Sequence, residues 1–99
     1  MTTEQVYICD GWTVRFYKNI HMYSHSLKLS KNGEIYAVFC EDSPFGFVGI
    51  WPYVLEVSNA KFREILVVLN KWASQSALTY RLYTSPKEYE ADVAKLWGA

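Results

Sequence analysis

Two dipeptides, Asp10-Gly11 and Asn32-Gly33, each sit between runs of alternating apolar and polar residues. Both pairs tolerate the positive φ angles of a tight I′ turn, and side chains on a strand alternate faces with period two. A two-residue loop therefore fixes which residues oppose each other and which face each one occupies. For the first hairpin, residues 5–9 and 12–17, Cys9 faces Trp12, Tyr7 faces Val14 and Gln5 faces Phe16. Tyr7, Cys9, Trp12, Val14 and Phe16 make the inner face, and Thr13, Arg15 and Tyr17 point away. Val6 and Ile8 fall on that outer side, which predicts that something covers part of it. The second hairpin joins residues 23–30 to 34–40 in one of two registers. A two-residue turn pairs Leu29 with Tyr36 and Leu27 with Val38, whereas a three-residue turn with a glycine bulge pairs Leu29 with Ile35. Either register buries Leu27 and Leu29 and exposes Lys28.

Beyond the polar break Glu41-Asp42-Ser43-Pro44, residues 45–50 read as a strand that Trp51-Pro52 ends, since proline cannot donate to a ladder. Residues 53–57 fit either a strand or the first turn of a helix. From Ser58 the period changes: Phe62, Ile65, Leu66, Leu69, Trp72 and Ala73 recur at helical spacing, with Ser58 as N-cap. Residues 77–83 alternate again. Ser85-Pro86-Lys87-Glu88 then supplies a capping serine, a proline at the first helical position and a glutamate three residues on. Tyr89, Val93 and Leu96 give that helix its apolar stripe. The order is β-β-β-β-β-α-β-α. The expected fold is one α+β domain over residues 1–99: a single antiparallel sheet of five to six strands with both helices packed on one face.

Composition limits the function classes. Ten basic and ten acidic residues cancel without a like-charge run, so the footprint of a nucleic-acid or anionic-membrane binder is missing. No basic, apolar leader opens the chain, and the apolar stretch 45–55 is broken by Gly46, Gly49 and Pro52. A cytoplasmic protein is the expectation, with Cys9 and Cys40 as buried thiols rather than a disulfide. Eight Tyr and four Trp exceed what a small core needs, which predicts aromatic anchors on the surface.

Phe45-Gly46-Phe47-Val48-Gly49-Ile50 resembles the core of the RNP1 element of RNA-recognition motifs, in which strand aromatics stack on bases. The resemblance implies that Phe45 and Phe47 would carry RNA or single-stranded DNA. It covers six residues. Ser43-Pro44 stands in place of the basic-glycine lead, isoleucine replaces the last aromatic, and no helix separates the first two strands. The same glycines suit a core strand that needs close packing. His21 and His25 share a strand face with Tyr23 between them, but a zinc site needs three or four ligands and the sequence clusters no others, so neither metal nor cofactor is expected. No phosphate-binding glycine loop or nucleophile elbow is present, and no catalytic residue is assigned.

The reading that follows is a small non-enzymatic interaction module of inhibitor, immunity or adaptor type, of bacterial or phage kind. It would bind a protein partner or a second copy of itself, without a membrane. Arg15, Tyr17, Lys28, Tyr36, Trp51 and Trp97 are its candidate contact residues. A small enzyme or ligand-binding domain, with a Tyr- and Trp-lined pocket between sheet and helices and polar groups such as His25 or Glu41, is the alternative for a small-molecule partner. Nucleic acid ranks behind both.

Overall fold

Positive φ angles at Asp10 (51°), Gly11 (80°), Asn32 (51°) and Gly33 (81°) close the two expected turns. The computed structural model describes residues 4–98, the side chains of 19–21 excepted. Strand β1 (Glu4–Cys9) pairs with β2 (Trp12–His21) in the expected register, Cys9 opposite Trp12 and Tyr7 opposite Val14. Between β3 (Ser24–Lys31) and β4 (Glu34–Asp42) the two-residue turn prevails, since Leu29 faces Tyr36 and Leu27 faces Val38. A third tight turn, Met22-Tyr23, joins β2 to β3 with Met22 at φ 54° and a register shift between Tyr17 and His21. It lacks the glycine that marks the other two.

Strand β5 (Val48–Trp51) begins three residues later than the alternation suggested. Phe45 and Phe47 instead sit in a loop held by Ser43, whose Oγ accepts from the N–H groups of both, at 3.2 and 3.4 Å. Residues 52–54 form a 3-10 turn started by Pro52, and extended chain leads from it to Ser58. Helix α1 (Asn59–Gln75) follows, and the Ser58 side chain accepts from the Lys61 N–H as an N-cap. Strand β6 (Tyr80–Leu82) and helix α2 (Pro86–Leu96) complete the order β-β-β-β-β-α-β-α of an α+β fold. The six strands form one sheet in sequence order. Its first four pairings are antiparallel and β5–β6 is parallel. The crossover through α1 returns the chain to the same end of the sheet, so the strand after it runs alongside β5.

Helix α1 lies on the inner face. Ile65, Val68, Leu69, Trp72 and Ala73 are buried there against Trp12, Val14, Phe16, Leu27, Leu29, Val38, Cys40, Val48 and Ile50. Full burial is worth roughly 1.5–3 kcal/mol for each large aliphatic side chain in such a core. The Trp72 and Phe16 rings meet at 5.3 Å. At the seam with the first hairpin, the Trp12 indole N–H and the Lys31 ammonium both donate to Glu64 Oε1, at 2.9 and 3.0 Å.

Helix α2 lies on the other face, a departure from the expected arrangement. Ile50 points inward, so Gly49 and Trp51 point outward. Trp51 packs on Tyr83 and Tyr89 at 5.6 Å each, and Tyr89 belongs to α2. Tyr89, Val93 and Leu96 are the half-buried stripe of α2, but a stripe does not specify which side of a sheet it covers. Among the described residues, no helix is long and apolar enough to cross a membrane.

Candidate functional site

With α1 on the inner face and α2 confined to the β5–β6 end, most of the outer face carries no layer. Its residues follow from the registers: Val6, Arg15, Lys28 and Ala37 form one cross-strand row, and Ile8, Thr13, Ser30 and Ile35 the next. Tyr17 and Ser26 oppose each other in a third, and Phe39 faces Trp51 across β4 and β5, their rings 5.2 Å apart. Ile8 is 72% exposed, Ile35 68%, and Val6 and Phe39 51% each. The result is an apolar sheet face with two cations in its middle row. Arg15 is paired with Glu4 at 2.9 Å, and Lys28 makes no ion pair among the described residues. Arg15 and Lys28 are direct cross-strand partners, and like charges placed this way are destabilising.

Where the outer face meets α2, a cavity of about 230 Å³ opens between the helix and the β4–β5 loop. Phe45, Phe47 and Trp97 line one part of it: Phe45 meets the Trp97 ring edge-on at 5.1 Å and stacks near Phe47 at 6.5 Å. Trp51, Tyr83 and Tyr89 form a second aromatic group, with Tyr83 and Tyr89 5.0 Å apart. Glu41 and Asp42 supply the charge. Glu41 Oε2 accepts from the Ser24 hydroxyl at 3.1 Å, and Asp42 Oδ1 lies 2.8 Å from Nε2 of the buried His25. The wall is tied to the sheet by Asp92 on α2, which accepts from the Tyr83 hydroxyl at 2.6 Å and from Arg81. Burial, then that bond, pushes the Tyr83 phenol well above its ordinary value, while the Tyr83 and Arg81 donors hold the Asp92 carboxyl below its own.

Of the expected contact residues, Arg15, Tyr17, Lys28 and Trp51 stand on the outer face, and Trp97 lies at the cavity rim, 67% exposed. Tyr36 does not join them. It faces Leu29 on the inner side, packs against the core and lies 5.8 Å from the Trp12 ring. The expected contacts omit Ile35 and Phe39, which turn outward only in the two-residue register that the sequence leaves open, and Val6 and Ile8 enter them only as a side that something covers. Phe47, of the RNP1-like string, is buried with the Arg81 guanidinium 4.6 Å from its ring centroid, so Phe45 has the more open ring. The His21 side chain lies outside the described residues.

Neither thiol belongs to a disulfide: Cys40 is buried and Cys9 half-buried. Burial, with Asp42 and Glu41 adding to it, pushes the Cys40 thiol up to about 12, so it stays protonated and unreactive near neutral pH. Among the described residues, no group of three or more His, Cys, Asp or Glu side chains could hold a metal ion. No family model, curated protein or solved structure matches the chain.

Proposed function

We propose that the chain is an interaction module that docks a protein partner on the outer face of β1–β4, the partner placing acidic side chains over Arg15 and Lys28. The observation that carries this reading is the composition of that face: exposed Val6, Ile8, Ile35 and Phe39 around a cross-strand cation pair. Apolar patches of this kind mark association sites, and unmatched charge inside one selects a partner of opposite sign. A second copy suits the face less well. Stacking two copies about the middle row would gather two Arg15 and two Lys28 side chains, with Glu4 pairing Arg15 and no carboxylate paired with Lys28 among the described residues. Base stacking is less favoured too, because Phe47 is covered and, among the described residues, Arg15 and Lys28 are the cations that the face offers to a polyanion.

The test compares the protein with an Ile8→Lys/Ile35→Lys double variant as baits in lysate of the cells that make it. A photo-crosslinking residue at position 37 maps what sits on the face. The expected result is one protein retained by the unmodified face, released by the double variant, and crosslinked through a segment rich in Asp or Glu. A partner retained equally by the double variant, a crosslink to a second copy, or a ribonuclease-sensitive capture would each overturn the reading.

A further inference from the structure

We propose that the cavity between α2 and the β4–β5 loop is a receptor for the positively charged end of a lysine or arginine side chain presented by a partner protein. Six aromatic residues, Phe45, Phe47, Trp51, Tyr83, Tyr89 and Trp97, line it together with the acidic residues Glu41 and Asp42, and no Lys, Arg or His does. Ring faces carry negative electrostatic potential and attract a cation that reaches within about 6 Å of their centroids. Carboxylates beside them supply a full opposite charge in surroundings drier than bulk water. The rings belong to two separate groups, so a guest that enters between them meets aromatic surface from both the loop and the helix.

The local chemistry already shows this preference. Arg81 stacks on Phe47 at 4.6 Å, is neutralised by Asp92, and is not among the residues lining the cavity. The carboxylates are also held in place: Glu41 by the Ser24 hydroxyl and Asp42 by His25, each through one oxygen. Size selects among cations. At about 230 Å³ the space falls below the range of roughly 300–1,000 Å³ that encloses a drug-sized molecule, and it suits the end of one side chain. Val93 and Leu96 add apolar wall for the methylene stem of such a side chain.

This inference is independent of docking on β1–β4, because the ligand can be tested alone. Indole N–H signals of Trp51 and Trp97 are followed by NMR during titration with N-acetyl-arginine amide, N-acetyl-lysine amide, their uncharged counterpart N-acetyl-norleucine amide, and choline. The buried Trp12 and Trp72 serve as internal references. One of the two charged amides is expected to move the Trp51 and Trp97 signals saturably at millimolar concentration, with norleucine amide weaker by about tenfold, the difference that a cation over aromatic rings supplies. Glu41→Gln keeps an acceptor for Ser24 and should weaken binding several-fold, and Trp97→Ala, which removes an exposed ring, should do the same. Equal binding of norleucine amide would reduce the cavity to an apolar cleft. Tighter binding of choline than of either charged amide would assign it to a small quaternary ammonium compound, and the absence of a saturable shift would remove the site. Each of these results overturns the proposal. Survival of cation binding in the Ile8→Lys/Ile35→Lys variant would separate it from the sheet-face reading.

Discussion

Gly49 is required by one ring. A β-carbon built there would lie 2.4 Å from Cη2 of Trp51 and 2.9 Å from two more atoms of that indole, which is rigid and braced by Phe39, Tyr83 and Tyr89. Gly49→Ala should therefore cost about 1–3 kcal/mol, the usual range for forcing extra volume into a packed site. Chemical denaturation with the indole emission as probe would check it, and a midpoint equal to that of the parent would show that Trp51 moves aside freely. The need for close packing could be read from the glycine spacing, but the identity of the neighbour could not, because it depends on the β5 side chain two residues on turning back over its own strand. Titration at the residue level follows the same logic of surroundings. Cys40 has a folded value of about 12 against an ordinary 9.0, so its contribution to stability is present below about pH 9 and is lost as pH rises towards 12. Asp10, held down by Lys71, Glu64, held down by Lys31 and Trp12, and Asp92, held down by Tyr83 and Arg81, act in the opposite sense. Their contributions are present above the ordinary carboxylate range and fade as pH falls through their lowered values. Unfolding midpoints measured against pH should form a plateau across neutrality and fall on both sides. Ellman's reagent should meet Cys9 well before Cys40 in the folded protein, and equal rates would contradict the burial of Cys40.

At the level of elements, α2 is lightly embedded compared with α1. It has no fully buried residue and is fixed by Asp92, by its aromatic contacts and by its N-cap, where the Ser85 hydroxyl accepts from the Glu88 N–H at 3.2 Å. Glu88 reaches back one residue further than a standard capping box, to the N–H and hydroxyl of Thr84 at 3.2 and 2.9 Å. Asp92→Ala removes the acceptor of both Tyr83 and Arg81, and leaves a partly buried phenol unsatisfied at a cost of about 1–3 kcal/mol. The expected outcome is faster amide exchange across α2 with α1 and β2–β4 unchanged, read by mass spectrometry. Uniformly faster exchange would mean that α2 unfolds only with the whole domain. Elements of this chain were legible where a local device fixed them: Asp10-Gly11 set the first register, Asn32-Gly33 placed the second turn but left two registers open, and the Ser85-Pro86 start set α2. The face on which α2 lands and the parallel pairing of β6 were not legible, since both are decided by contacts of Trp51, Tyr83 and Tyr89 that come together only when the sheet has formed. Val6 and Ile8 signalled a covered outer face, and α2 covers a different part of it.

For the whole molecule, a net charge of zero conceals an uneven distribution. The middle of the outer face is basic through Arg15 and Lys28, and its far end, at the cavity, is acidic through Glu41. A protein that engaged both regions would need carboxylates followed by a cationic side chain, and one copy of this chain stacked face to face on another meets cations with cations at the centre. The unmodified chain should therefore sediment as a monomer of 11.5 kDa even though its outer face is apolar. Lys28→Glu removes that obstacle. It places a carboxylate directly across from Arg15, gives the face both signs of charge and leaves Val6, Ile8, Ile35 and Phe39 untouched, so two copies could answer each other's charges across one apolar interface. The variant should self-associate with concentration in sedimentation equilibrium, and added salt should weaken the association because exposed charges are screened beyond about 8–10 Å. If the parent chain were itself a dimer through this face, the cation pair would not be what keeps copies apart, and the case for a partner of different composition would fall with it. If Lys28→Glu remained monomeric at every concentration, the apolar rows alone would be too weak to hold a partner, and docking there would have to draw most of its affinity from elsewhere on the molecule.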